Sequence, residues 1–206
     1  MSNQCSKPTG LLGRFVLSRM NWSHSRVTDW GLSHISVRAD DRILDVGCGG
    51  GRTIAKLAAL ATQGHVTGVD HSDAAVAASR KLNAAAVATG LVDVVPGSVS
   101  ALPFPDSSFT LATAVETHFH WPNLSSDMRE VFRVLASGAT FCLIAEIYRG
   151  GTGLPGKIAE LYAAKSGVPL LTLDEHRELL ESTGYTRVQV FEQRQKGWVC
   201  ATGTKP

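Results

Sequence analysis

One stretch limits the fold of this chain more than any other: a glycine-rich turn between a short apolar strand and a helix. The strand covers residues 42–46, the turn is Gly47-Cys48-Gly49-Gly50-Gly51, and the next apolar strand ends in Asp70. Glycines at the start of a helix let a cofactor approach the backbone, and an acid after the next strand suits the hydroxyls of a ribose. The pattern predicts a nucleotide pocket in a doubly wound α/β fold.

Composition sets the broad class. The 206 residues are 44% apolar, which is enough for one domain that buries roughly 70% of its unfolded surface. The net charge of +2 comes without a run of basic residues, so no nucleic-acid partner is expected. The four cysteines show neither CxxC spacing nor the density of a disulfide scaffold, and the first apolar patch, residues 11–17, is short and broken by Arg14. These features predict a cytoplasmic protein without membrane insertion.

Strand-like and helix-like segments alternate from residue 42 onward. Strands are predicted at 42–46, 65–69, 92–95, 109–115 and 139–147, followed by a hairpin of 185–191 and 198–204 that places an antiparallel strand at the sheet end. A helix capped by Ser72 should run from 74 to 88, another should cover 124–135, and Thr172-x-x-Glu175 has the spacing of a capping box for a third. This order predicts a Rossmann-like, doubly wound, seven-stranded sheet with its last strand antiparallel, in three α/β/α layers.

The chain is expected to form a single domain, residues 1–206. Residues 11–36 would be an N-terminal helical cap, 40–147 the cofactor-binding core, 148–171 a lid-like insertion with a short helix at 157–165, and 172–206 a C-terminal helix and hairpin. Long loops in compact domains are often functional, although 148–171 could be a surface excursion and 11–36 could simply cover one face of the sheet.

Two residues bear on the choice of cofactor. A dinucleotide fingerprint that starts at Gly47 would need its third glycine at Arg52, where a bulky side chain prevents close helix-to-strand packing. Asp45, two residues before Gly47, would repel a pyrophosphate but suits a cationic amino-acid ligand. The turn therefore favours a sulfonium cofactor over NAD.

The motif Asp45-x-Gly47-x-Gly49-x-Gly51, with Asp70 after the next strand, resembles that of class I S-adenosylmethionine (SAM)-dependent methyltransferases. Residues 97–109, with Leu102-Pro103-Phe104-Pro105, and the helix at 128–135 resemble the ubiquinone/menaquinone-biosynthesis-like (type 11) branch. The resemblance spans residues 40–147 and implies SAM as the cofactor and S-adenosylhomocysteine (SAH) as its product.

The resemblance also implies roles for individual residues. The glycine turn would pass under the methionyl part of SAM, Asp70 would accept both ribose hydroxyls, and His71 would lie beside the adenine. Ser98 and Val99 would border that base, although the family commonly has an acid where Ser98 stands and an Asp where Thr110 stands. The predicted cofactor-binding residues are Asp45, Gly47, Cys48, Gly49, Gly51, Asp70, His71, Ser98, Val99 and, through the backbone, Val115 or Glu116.

Methyl transfer needs an acceptor held in line with the methyl group, and a general base only when the acceptor arrives protonated. The segment after the fourth strand, residues 114–122, should lie over the cofactor. It carries His118 and His120, which are the predicted catalytic residues. On an extended segment they point in opposite directions, so only one is expected to face the substrate. His24 and His34 are weaker candidates, and Met20, Asn21, Trp22 and Trp30 are candidates for closing over the pocket.

Missing motifs narrow the acceptor. No Asn/Asp-Pro-Pro-Tyr/Phe follows the fourth strand, no cysteine follows a proline, the cysteines do not cluster, and no acidic trio suggests a magnesium site. These absences favour a metal-free enzyme that acts on a small molecule. The alternatives are a non-catalytic SAM-binding or regulatory protein and a nicotinamide-dependent oxidoreductase.

Overall fold

The computed structural model describes residues 25–206, which form one seven-stranded sheet in the order β3-β2-β1-β4-β5-β7-β6. The strands are β1 Arg42–Val46, β2 His65–Asp70, β3 Val92–Pro96, β4 Phe109–Val115, β5 Leu135–Ala145, β6 Thr186–Gln193 and β7 Trp198–Thr204. The helices are α1 Ser25–Leu32, α2 Arg52–Leu60, α3 Asp73–Leu82, α4 Ala84–Ala88, α5 Leu124–Val134, α6 Gly153–Ser166 and α7 Leu173–Thr183. A 3-10 turn covers His118–His120.

Alternate residues of the central strand pack on opposite faces of the sheet. Leu44 belongs to a core with Met128 of α5 and Leu180 of α7, whereas Ile43 packs against Ile54 of α2 and Val76 of α3. Both faces are covered because successive side chains of a strand point to opposite sides. The predicted Rossmann-like α/β/α fold is therefore confirmed, with β7 antiparallel to both of its neighbours.

The predicted hairpin forms, but the expectation that its antiparallel strand lies at the sheet end is wrong. β7 lies between β5 and β6, so that β6 takes the edge. Val199, Cys200 and Ala201 of β7 are fully buried, whereas β6 begins with exposed Thr186 and Arg187. The more apolar strand takes the inner position because that position is covered on both faces and paired at both edges.

The helix predicted to run from 74 to 88 is interrupted at Asn83. Its start is as expected, with the Ser72 hydroxyl accepting a hydrogen bond from the Ala75 N–H. The Asn83 amide donates to the carbonyl oxygens of Ser79, at 2.9 Å, and of Gly51, at 3.0 Å. An Asn side chain that bonds nearby backbone competes with the helix ladder, and here it also ties α3 to the glycine turn.

The fifth strand begins earlier than the predicted residue 139 and ends at Ala145. The expected turn survives inside it, because Gly138 has a φ of 79°. The C-terminus of α5, just before this strand, is capped by Lys205. The Lys205 Nζ donates to the carbonyl oxygens of Phe132, at 2.8 Å, and Leu135, at 2.7 Å. A cation at a helix C-terminus satisfies carbonyls that have no partner in the helix.

The insertion after β5 contains a longer helix than the predicted 157–165. In α6, Ala159 is buried in a cluster with Leu170 and Val199, while Leu154 and Leu161 are each 70% exposed on its outer side. The capping box of the next helix is present as predicted, with Thr172 and Glu175 bonding each other's backbone.

Candidate functional site

A pocket opens at the carboxyl ends of β1, β2 and β4, where the fold predicts a ligand. Eleven of the residues predicted from the sequence line it: Asp45, Gly47, Cys48, Gly49, Asp70, His71, Ser98, Val99, Val115, Glu116 and His120. Two of the predicted residues, Gly51 and His118, do not.

The glycine turn is fixed by hydrogen bonds to β2. The N–H groups of Gly47 and Cys48 donate to the Val69 carbonyl oxygen at 2.8 and 3.0 Å. Gly47 has a φ of 71°, and a Cβ there would lie 2.2 Å from Thr117 Oγ1. Only glycine satisfies both conditions, since other residues are strained at positive φ. The turn is therefore held directly against the residue that follows Glu116.

Gly51 serves the fold rather than the pocket wall. Its φ is 82°, and a Cβ would lie 2.3 Å from Ser79 Oγ and 2.6 Å from Asn83 Nδ2. The glycine is needed because α3 packs closely on the turn. Its contact with a cofactor stays a prediction.

Asp70 holds the turn and the start of α3 together. One carboxylate oxygen accepts the Gly49 N–H and the other accepts the Ser72 N–H, both at 2.9 Å. His71 Nδ1 lies 3.7 Å from the same carboxylate, and its side chain is half-exposed. The Asp70 carboxylate thus lies at the rim of the pocket in a fixed orientation, as binding of a ribose diol requires.

Asp45 is a buried acid with one open oxygen. Its Oδ1 accepts a hydrogen bond from Thr113 Oγ1 at 2.7 Å, and its Oδ2 has no partner among the described residues. Burial raises the pKa of Asp45 to about 7, and the nearby Asp70 carboxylate adds to this. A buried acid with an unpartnered oxygen, lining a pocket, is suited to a cationic ligand.

The two candidate histidines lie on a 3-10 turn instead of the extended segment predicted. Because the chain coils there, His120 lines the pocket while His118 points into the protein, where it is 2% exposed. The His118 ring lies 5.3 Å from that of His176, and its Nδ1 has no partner among residues 25–206. His118 is therefore buried outside the wall of this pocket.

His120 has the properties of a neutral imidazole. Burial lowers the pKa of His120, and the neighbouring His71 lowers it further. Cys48 also lines the pocket, but burial and the Asp45 and Asp70 carboxylates raise the pKa of its thiol well above the usual value. The thiol therefore stays protonated and is a poor nucleophile.

Ser98 and Val99 lie on the far side of the pocket, on a loop that α5 positions. The Ser98 hydroxyl accepts the Ser100 N–H at 3.2 Å. Arg133 of α5 donates to the carbonyl oxygen of Phe104 at 2.9 Å and pairs with Asp106 at 2.7 Å. These contacts hold the segment of residues 102–106 against α5.

Several wall residues were not predicted as site residues. Ser25 and Thr28 come from α1, Arg52 from the start of α2, and Thr117, Trp121 and Pro122 from the segment after β4. Residues 117, 121 and 122 belong to the segment that the sequence already indicated as a candidate site, and its Trp-Pro pair could have pointed to them. Nothing in the sequence distinguished the pocket-facing end of α1 from its buried face.

The remaining candidates fall elsewhere. Met20, Asn21, Trp22 and His24 lie outside the described residues. His34 stacks on Phe191, with ring centroids 4.0 Å apart, and does not line the pocket.

Neither a metal cluster nor a membrane span was found in the part of the chain that the structure describes. Within residues 25–206, no three His, Cys, Asp or Glu side chains are arranged so that they could hold a metal ion. In the same range, every helix is too short or too polar to cross a bilayer.

Comparisons with known proteins find similar methyltransferases. Residues 44–143 match the family model described as "Methyltransferase domain". An O-methyltransferase of Pyrenophora dematioidea is 28% identical over 170 residues, which is 82% of this chain and 63% of that protein. The chain thus spans less than two thirds of the length of this curated relative.

Solved structures share the whole architecture. A chain in the complex of the Haloferax volcanii Trm112 methyltransferase activator with a methyltransferase superposes with a TM-score of 0.78 at 18% identity, covering 93% of this chain and 94% of its own. A Haemonchus contortus phosphoethanolamine N-methyltransferase 2, solved with SAH, gives a TM-score of 0.75 at 15% identity over 92% of this chain and 57% of its own.

Proposed function

We propose that this chain is a class I SAM-dependent methyltransferase that transfers a methyl group from SAM to a small-molecule acceptor, as its similarity to the "Methyltransferase domain" model over residues 44–143 and to an O-methyltransferase supports. The observation that carries the proposal is the pocket at the ends of β1, β2 and β4. There, a fixed Asp70 carboxylate and a buried Asp45 with an open oxygen flank one glycine turn.

The residues present fit SAM at both ends. Asp70 would accept the ribose hydroxyls, and His71, Ser98 and Val99 would border the adenine. Asp45 supplies a negative charge for the amino-acid end, where an ammonium group would compensate its unpartnered oxygen. NAD would place phosphates at this turn, close to both carboxylates, and like charges at such short range repel.

SAM supplies an electrophilic methyl group, and the chain supplies orientation. We propose that His120 contacts the acceptor and takes its proton when the acceptor is a hydroxyl or another protonated group. A neutral imidazole is needed for this step, and the lowered pKa of His120 keeps it neutral near pH 7. His118 is not included, because it is buried outside the pocket.

The acceptor would enter beside α1, whose Ser25 and Thr28 line the pocket. The cap of residues 11–36 and the insertion of residues 148–171 are proposed to cover it, as a closing segment excludes water from a reacting methyl group. A small-molecule acceptor is also supported by the O-methyltransferase name of the Pyrenophora relative.

The test has a binding step and a transfer step. SAH should raise the melting temperature of the protein and NAD should not, since only a ligand of the folded state stabilises it. Methyl-labelled SAM, incubated with a small-molecule extract, should then give labelled products.

A matched pair of variants assigns the base. His120→Asn should keep SAM affinity and lower transfer by roughly 100-fold or more, the usual contribution of a general base. His65→Asn, at the opposite end of β2, should change neither. Stabilisation by NAD alone would overturn the proposal, and SAM binding without product on any extract would favour a non-catalytic SAM-binding protein.

A further inference from the structure

Glu116 has a strained backbone at the edge of the pocket. It is the first residue after β4, and its φ is 57°. Its N–H donates to the Ile144 carbonyl oxygen at 2.9 Å, which holds it in place. A non-glycine residue in the left-handed region costs about 1–3 kcal/mol and is retained mostly at functional sites.

The Glu116 carboxyl is held at one oxygen. The Glu146 N–H, just after β5, donates to Oε1. No basic side chain among residues 25–206 forms an ion pair with it. Burial raises the pKa of Glu116 to about 8, and the Glu146 carboxylate contributes to the rise.

Other charged and titratable groups surround the same pocket. They come from the ends of β1 and β2, from the glycine turn, from the start of α2 and from the 3-10 turn, and are Asp45, Asp70, His71, Cys48, Arg52 and His120. Glu146, just after β5, acts on Glu116 from outside the pocket wall. Of the three acids in the pocket wall, Asp70 has both oxygens engaged by backbone N–H groups. Asp45 keeps one oxygen without a partner among the described residues, and Glu116 accepts a backbone N–H at Oε1.

Glu116 lies on the side of the pocket that the glycine turn forms, where the methionyl part of SAM is proposed to bind. Its neighbour Thr117 lies against Gly47, so the end of β4 and the glycine turn are in contact. The adenine side, with Ser98 and Val99, follows β3 at the other end of the pocket.

SAM and SAH differ in charge at a single atom. Both carry the amino-acid ammonium and carboxylate groups, but SAM has a positive sulfonium where SAH has a neutral thioether. An acid that serves the ammonium, as proposed for Asp45, would therefore respond to both ligands. An acid that responds to the sulfonium would respond to SAM alone.

We propose that the Glu116 carboxyl is the counter-charge for the sulfonium: it ionises when SAM binds and regains a proton once the ligand is SAH. The pocket would thus bind SAM in preference to its own product. This inference rests on the proposed binding of SAM and gives the Glu116 side chain a role in distinguishing the cofactor from its product.

The expected signal is a difference in protons released. At pH 7, a group with a pKa of about 8 is mostly protonated, so binding of SAM should release close to one proton more than binding of SAH. Any proton from Asp45 appears with both ligands and cancels in the difference. The ratio of SAM to SAH affinity should rise by up to about tenfold per pH unit between pH 6 and 8 and level off above.

The measurement is isothermal titration calorimetry of the full chain with SAM and with SAH, in two buffers of different ionisation enthalpy. Glu116→Gln, which can still accept the Glu146 N–H, should abolish the proton difference and lower the SAM-to-SAH affinity ratio about tenfold, with SAH affinity unchanged. Glu146→Gln should reduce the proton difference at pH 7, because it removes the carboxylate that helps raise the pKa of Glu116. Glu181→Gln, on the exposed side of α7, is the control and should change nothing.

Two results would overturn the inference. One is equal proton release by SAM and SAH in the wild-type protein, a result that needs no variant. The other is a Glu116→Gln protein that loses affinity for both ligands equally, which would indicate a purely structural role. If neither ligand binds the wild-type protein, the proposed function itself fails, and the two failures are thus distinguished.

Discussion

Replacing Asp70 with Ala tests the pocket at its best-defined residue. Its carboxylate accepts the N–H of Gly49 and that of Ser72, both at 2.9 Å, and it is 8% exposed. The change removes the charge proposed to hold the ribose and also frees the turn and the first residue of the α3 cap.

The expected losses of affinity and stability in Asp70→Ala follow from the hydrogen bonds that the carboxylate makes. Hydrogen bonds to a charged group are worth about 1.5–3 kcal/mol each. Losing even one bond to the ribose should therefore weaken SAM and SAH binding at least about tenfold, since 1.4 kcal/mol is one decade. The two backbone N–H groups left without their acceptor should lower the free energy of unfolding by about 1–3 kcal/mol.

Calorimetric titration with SAH and chemical denaturation measure the two effects separately. Asp73→Ala is the matched control, because Asp73 is an exposed acid in the first turn of α3. It should cost at most about 1 kcal/mol of stability through the helix dipole and leave affinity unchanged. A folded Asp70→Ala protein with wild-type affinity for SAH would refute the reasoning.

Three further predictions concern other residues. Gly47→Ala should destabilise the fold and abolish SAH binding, because its Cβ would lie 2.2 Å from Thr117 Oγ1. Gly138→Ala also places a side chain at positive φ but has nothing within 4 Å, so it should lower the free energy of unfolding by only about 1–2 kcal/mol. Denaturation curves and SAH titrations of both variants separate the steric clash from the backbone strain. Asp45→Asn should flatten a fall in stability between about pH 4 and 7, because the folded protein keeps a proton up to a pKa of about 7 that the unfolded chain has already lost; melting temperatures across that range would contradict this if both proteins showed the same slope. His118→Phe should make stability less sensitive to acid below about pH 6.5, since burial holds the pKa of His118 well below its usual value and only the unfolded chain takes up the proton; an unchanged acid limb in denaturant titrations would count against it.

The sequence was sufficient where a local rule determines the structure. The strand ends at Val46 and Val115 match the predicted ones, since apolar runs bounded by polar or glycine residues define buried strands. The Thr172 capping box and the Ser72 cap form as expected because each depends on residues within one helical turn.

The sequence was insufficient where distant contacts decide. Asn83 interrupts a helix because Gly51 lies beside it in space, and no pattern in the sequence near Asn83 predicts this contact. Gly51 belongs to the family's motif yet packs on α3, so the motif alone could not separate a ligand contact from a packing requirement. The coiling of residues 118–120, which sends His118 inward, likewise depends on the packing of His118 against α7.

The place of β7 between β5 and β6 has a consequence for folding during synthesis. β5 acquires its second neighbour only when residues 198–204 have been made. Until then its apolar edge stays open, while the five parallel strands can already assemble. Open apolar edges are prone to wrong pairing with other chains. The nascent chain should therefore be vulnerable to aggregation until residues 198–204 have been made, and cutting the chain before β7 should remove the closure of the sheet as well as a strand.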